Sequence, residues 1–142
     1  MQDPFDLNRF VAAQELAYEQ VCLELTAGAK TSHWMWFVFP QLEALGRSAI
    51  ARRYGVKSRE EAAAYLGHAV LGPRLVHCTQ LVNAIQARTL HQIFGPPDDL
   101  KFRSCMTLFD AVAPHDSVFR TAMQQWFGGK GDAITTQWLA QH

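Results

Sequence analysis

Helix start and stop signals divide this sequence almost from end to end, and strand signals are nearly absent. Ser58 followed by Glu61 has the spacing of a capping box, opening a helix through Tyr65 and Leu66 that Gly67 stops. Thr89 with Gln92 repeats that spacing for a short turn closed by Gly95. Pro73 suits a first helical position and leads into Leu75, Val76, Leu81, Val82 and Ile85. Pro96-Pro97-Asp98-Asp99 caps a helix with Cys105, Leu108, Phe109 and Val112 on one face, broken by Pro114. Asp116 is expected to cap the next, which carries Val118, Phe119, Ala122, Met123, Trp126 and Phe127 as far as Gly128-Gly129, and Asp132 opens a last short helix.

Nearer the start, Leu7, Val11, Gln14, Tyr18, Val21 and Leu25 step by four and three along one stripe, with Glu15, Glu19 and Glu24 off it, so a single amphipathic helix ending at Gly28 is expected. Gln14 lies on the buried side of that stripe. Its amide therefore needs a partner, either a structural hydrogen bond or a ligand. The run Trp34 to Phe39 is ambiguous by pattern alone. It reads as helix, because one strand without a neighbour would leave its backbone groups unpaired. The expected fold is all-α: a compact, single-domain orthogonal array of six to seven helices spanning residues 1–142.

Composition excludes several classes. Nine Phe, four Trp and three Tyr at only 18% charged residues argue against disorder. The longest apolar run, Trp34 to Phe39, falls far short of the roughly 20 residues of a membrane span. Met1 to Asp6 has no basic stretch leading into an apolar one, so a cytoplasmic protein is expected. Cys22, Cys78 and Cys105 form no C-x-x-C pair and read as reduced core thiols, Cys105 an inert one on its helix stripe. Thirteen basic and thirteen acidic residues balance, which opposes nucleic-acid binding. Arg47, Arg52, Arg53, Lys57 and Arg59 nevertheless cluster, either as a basic patch or as a solvated turn and helix start.

No H-E-x-x-H, P-loop, G-x-S-x-G or G-x-G-x-x-G occurs, and His33, His68, His77, His91 and His115 lack helical ligand spacing, so neither metal nor cofactor is expected. Two segments look like anion seats. Lys30-Thr31-Ser32-His33 places a cation, hydroxyls, an imidazole and N–H groups before the aromatic run. Leu71-Gly72-Pro73-Arg74 offers a glycine for close backbone approach and a guanidinium fork. The simpler reading is turn chemistry with solvated cations. Asp98 and Asp99 complement a helix dipole, though a carboxylate there can also act as a base or orient a ribose hydroxyl beside Lys101 and Ser104. Trp34 and Trp36 cannot point the same way. Core placement of both is the plainer reading, and one lining a cleft where a base stacks is the functional one.

The stretches Asp3-Pro4-Phe5-Asp6-Leu7 with Arg9-Phe10 and Ala13-Gln14, Ser32 to Gln41, Leu71 to Leu75, and Phe94-Gly95 with Asp98 to Phe109 together resemble a family of short uncharacterised bacterial proteins. Members often carry the label calpastatin, although eukaryotic calpastatin is a disordered inhibitor and this composition is globular. His33-Trp34-Met35-Trp36 and Met106-Thr107-Leu108-Phe109 are its specific motifs here. The chain departs from the pattern at Cys105, where a second serine is expected, and at Ala69, where proline is. The resemblance implies a compact all-helical domain and no established activity. It also implies that His33, Gln41, Arg74, Asp98, Lys101 and Ser104 belong to the pattern, which fits a pocket between helices.

The function expected from these residues is binding of an anionic, nucleotide-like or phosphorylated small molecule. Lys30 and Arg74 would meet the anion, Trp34 or Trp36 would stack, and Gln41, Lys101 and Ser104 would complete the site. Hydrolysis or group transfer would use His33 and Asp98 as proton-transfer groups. The rival is a non-catalytic interaction module whose polar residues are structural.

Overall fold

Ser48, Ser58, Thr89, Ser117 and Asp132 each accept a hydrogen bond from the backbone N–H three residues on, at 2.9–3.3 Å, and each starts a helix. Thr89 and Gln92 close the reciprocal capping box, the Thr89 N–H donating to Gln92 Oε1 at 2.9 Å. The cap expected at Asp116 falls one residue later, on Ser117. These signals organise a computed structural model that describes residues 2–142.

Among the described residues ten α-helices follow one another: α1 (Asn8–Glu15), α2 (Tyr18–Ala27), α3 (Met35–Val38), α4 (Ala49–Arg53), α5 (Arg59–Gly67), α6 (Leu71–Asn83), α7 (Leu90–Phe94), α8 (Asp98–Asp110), α9 (Val118–Phe127) and α10 (Ala133–Gln141). A single 3-10 turn, Glu43–Leu45, precedes α4. Among the described residues there is no strand, only an isolated parallel bridge between Leu42 and Val56. The all-helical expectation holds, and the count of six to seven is too low for two physical reasons. The stripe from Leu7 to Leu25 is interrupted at Leu16 and Ala17, where Leu16 turns outward, 97% exposed. A break that keeps the buried stripe in register is invisible to periodicity. Helix α4 has five residues, shorter than two turns, so no period can be read from it, whereas the run from Trp34 to Phe39, read as helix, is helical over Met35–Val38.

Helix α8 is the centre of the packing. Seven of its thirteen residues, Phe102 and Ser104 to Phe109, are buried, and α5, α7, α9 and α10 all lie against it. Phe39, Phe94 and Phe102 pack ring to ring at 5.0–5.9 Å, tying the end of α3 and α7 to the start of α8. Cys105 is fully buried there, and burial pushes its thiol well above the ordinary value, as expected of an inert core cysteine.

At the other end of the core, Arg9 on α1 donates all five of its N–H groups inside the protein. The acceptors are the carbonyls of Phe5, Asp6, Arg53 and Gly55 and the carboxylate of Glu61 at 2.7 Å. Glu61, 1% exposed, also accepts the Lys57 N–H, so the N-terminal segment, the turn after α4 and α5 share one polar knot. Helix α6 starts at Leu71, two residues before the expected Pro73. Gly72 does allow a close backbone approach there, but to the chain itself: a Cβ would overlap the Leu66 carbonyl oxygen.

Candidate functional site

The segment Lys30 to His33, expected as a seat for a ligand's anion, closes over a carboxylate of the chain itself. Glu24, one turn before the end of α2, reaches under this loop. Its carboxylate accepts the N–H groups of Thr31 (2.8 Å) and Ser32 (2.9 Å), the Ser32 hydroxyl (2.6 Å), the Trp34 indole N–H (2.9 Å) and the Gln20 amide (2.9 Å). Burial alone would raise its pKa. The donors from Ser32, Thr31 and Gln20 outweigh that and hold the carboxyl far below the ordinary glutamate range. Glu24 was placed on the exposed side by the α2 stripe and is in fact 4% exposed, so this buried acid is the residue that sequence reasoning missed.

Lys30 is held on the outer side of the same loop. Its ammonium donates to the Ser32 carbonyl (2.7 Å), pairs with Asp98 Oδ2 (2.8 Å) and sits 5.1 Å from the Trp34 ring centroid. Asp98 is the first residue of α8, and its other oxygen pairs with Lys101, one turn along, at 3.3 Å. Lys101 in turn lies 4.5 Å from the centroid of Trp36. One carboxylate thus joins two lysines, each resting on a tryptophan. Trp34 is core, 1% exposed, and Trp36 is half-buried.

Trp36 and Lys101 open onto a cleft of about 360 Å³. Its walls also include Gln41, Arg47, Ser48 and Pro97, so residues from α3, α8 and the 41–48 connection meet there. The bridge at Leu42 and Val56 fixes this connection: Val56 donates to the Gln41 carbonyl at 2.9 Å and Glu43 donates to that of Val56 at 2.8 Å. Arg47 is exposed at the rim, giving the cleft two cations, a half-open indole and an amide.

Of the residues singled out by sequence, Lys30, Trp34, Trp36, Gln41, Asp98 and Lys101 are brought together here. His33 is exposed on the loop that carries Lys30 and is not part of the cleft wall. Ser104 lies a further turn down α8, 5% exposed, its hydroxyl donating back to the Leu100 carbonyl at 3.2 Å. Arg74 belongs elsewhere. It stacks 4.7 Å from the Tyr18 ring centroid and donates to Gln14 and Glu15 at 3.3 and 3.4 Å. Gln14 has the structural partners its burial requires, donating to the Phe37 carbonyl and the Tyr65 hydroxyl at 2.7 and 3.1 Å. The basic run does not form one patch: Arg47 faces this cleft, whereas Arg52, Arg53 and Lys57 border a second one of about 550 Å³, together with Asp6, Glu43 and the saturated Arg9–Glu61 pair. Arg59 turns to the Leu139 carbonyl at 2.7 Å. Among the described residues no group of three or more His, Cys, Asp or Glu is placed to hold a metal ion, and no helix is long and apolar enough to cross a membrane.

A wholly helical domain with a small cationic, tryptophan-walled cleft is the class that this geometry defines. Residues 4–139 match the family described as protein of unknown function, DUF1810, and the chain belongs to that family. The crystal structure of the conserved hypothetical protein Rv1873 from Mycobacterium tuberculosis is similar throughout: 54% identity, a TM-score of 0.95, and coverage of 97% of this chain and 99% of that one. No curated protein matches.

Proposed function

We propose that the cleft walled by Trp36, Gln41, Arg47 and Lys101 binds an anionic small molecule with a flat ring, of nucleotide type. The observation that carries this reading is the position of Lys101: its ammonium rests on the Trp36 ring while pairing only at 3.3 Å with Asp98, inside a space that a small ligand can fill. A ring can stack on the open part of the indole, and its phosphate or carboxylate can take up Lys101 and Arg47. Gln41 offers one donor and one acceptor for ring or sugar edges. Lys30 acts from behind, holding Asp98 and hence Lys101 in place.

Binding is better supported than chemistry. A hydrolysis or group-transfer step would draw on His33, which is exposed and outside the cleft wall, and on Asp98, whose two oxygens already hold ammonium groups. The test is thermal shift followed by calorimetry with adenosine, AMP, ADP, ribose 5-phosphate and inorganic phosphate. AMP or ADP should raise the melting temperature where adenosine does not, and Trp36→Ala should abolish the effect in a protein that remains folded. If none of the anions binds, the rival reading of a non-catalytic interaction module takes its place.

A further inference from the structure

Helices α2 and α6 run side by side in the same direction. The contacts keep a nearly constant offset: Tyr18 lies under Arg74 at 4.7 Å, and the Cβ position of Gly28 just past α2 meets Ile85 just past α6 at 3.6 Å. One turn on from Tyr18 is Cys22, and one turn on from Arg74 is Cys78. The register therefore sets the two cysteines opposite each other across the contact between α2 and α6. The two thiols differ in access. Cys78 is fully buried, whereas Cys22 is half-buried and borders an apolar cleft of about 520 Å³ with Tyr18, Leu23 and Thr26.

We propose that Cys22 and Cys78 form a redox modification site, in which a peroxide reaching Cys22 through the apolar cleft closes a disulfide between α2 and α6. In the first step the Cys22 sulfur attacks the peroxide O–O bond, giving a sulfenic acid and releasing water or an alcohol. In the second the Cys78 sulfur attacks the Cys22 sulfur, the S–O bond breaks, and hydroxide leaves with the Cys78 proton as water. Two thiols are oxidised by two electrons, and one peroxide is reduced. Burial, and after it the facing Cys22, push the Cys78 thiol up to about 12, so it is inert while the pair is reduced. Conversion of Cys22 to a sulfenic acid supplies the electrophile that Cys78 attacks. Cys105, fully buried in the core, stays reduced and serves as an internal control.

The test is brief treatment of the native protein with hydrogen peroxide, followed by intact mass and non-reducing peptide mapping. The expected result is a monomer lighter by about 2 Da, with one linked peptide pair containing Cys22 and Cys78 that dithiothreitol reverses. The linked form should melt higher by roughly 5 °C or more, because the bond closes a long loop. Cys22→Ser, a change at a half-exposed site, should leave Cys78 reduced at the same dose, and Cys78→Ala should leave a sulfenic acid on Cys22 that dimedone traps. Accumulation of Cys22 as sulfinic acid or in linked dimers with Cys78 still reduced would overturn the proposal. So would a protein whose Cys22 survives a dose that oxidises free glutathione completely.

Discussion

Glu24 accepts the indole N–H of Trp34 at 2.9 Å while the same carboxylate caps the backbone of Thr31 and Ser32. A buried charge without partners would be costly, and here donors surround it, so the loop that carries Lys30 and His33 is fixed from beneath. The rigidity of the cleft starts with this acid, because Lys30 bonds the carbonyl of Ser32 and passes its order on through Asp98 to Lys101.

Glu24 should make stability depend on pH. Its carboxyl is held below the ordinary value of 4.5, so the folded state binds the proton more weakly than the unfolded one. The stabilisation is fully present above the unfolded value and is lost as pH falls from there through the folded one, at up to about 1.4 kcal/mol per pH unit. Urea denaturation at pH 7, 5, 4 and 3 should show that slope in the wild type and a shallower one in Glu24→Gln. The variant should also lose about 1–3 kcal/mol at pH 7, since the amide leaves one of these donors facing an NH₂. Parallel curves for the two proteins would exclude Glu24 as the source.

Arg9 is saturated, and lysine cannot replace it. Three ammonium donors cannot reach five acceptors spread over the N-terminal segment, the Arg53–Gly55 turn and Glu61. Arg9→Lys should cost about 2–4 kcal/mol and Arg9→Ala about 3–5 kcal/mol, the latter leaving Glu61 buried without its partner. A denaturation midpoint in Arg9→Lys equal to the wild type would mean that charge alone suffices.

The two glycines flanking the α5–α6 turn should respond oppositely. Gly72→Ala must push the Leu66 carbonyl away and should lose about 3 kcal/mol or more. Gly67 has open space at its Cβ position and ends α5 on the surface, so Gly67→Ala should be neutral or gain up to about 1 kcal/mol. Equal melting temperatures for the two variants would show that the turn relaxes freely.

Features that depend on a few neighbouring residues were legible in the sequence. The caps at Ser58, Thr89 and Asp132 and the stop at Gly28 are local bonds, and local spacing reveals them. The cleft was legible in part because Lys30, Trp36, Gln41, Asp98 and Lys101 were singled out by residue type, and the fold gathers them. What spacing cannot show is which chain segments meet. Arg9 finds its partners 44, 46 and 52 positions away, Arg74 is drawn to α1 and α2, and Glu24 is buried by a loop without periodicity. The same limit applies to Cys22 and Cys78, whose pairing appears only once α2 and α6 are set in register.

His33 offers a clean separation of structural from chemical roles. The residue is exposed, so His33→Gln should leave the melting temperature within about 1 °C of the wild type, where a core histidine would not. Should a turnover reaction be found with any nucleotide that binds, the same variant should lower it by roughly a hundredfold if the imidazole transfers a proton, with affinity unchanged. Unchanged turnover would remove His33 from the chemistry.

Asp98 and an incoming anion make the same demand on Lys101, and Asp98 has Lys30 as a second, shorter partner at 2.8 Å. Replacing the carboxylate by an amide releases Lys101 while keeping the shape of the side chain. Asp98→Asn should therefore bind AMP or ADP several-fold more tightly than the wild type, and Lys101→Ala about tenfold more weakly, a difference of roughly 1.4 kcal/mol. Added salt should reduce both effects, because the groups are partly open to solvent. The amide variant will lose some stability where Lys30, 7% exposed, gives up its ion pair, so affinities are compared by calorimetry well below both melting temperatures. If Asp98→Asn weakens binding as much as Lys101→Ala does, the carboxylate contacts the ligand itself, and its role is to orient a hydroxyl or amide and not to restrain the lysines.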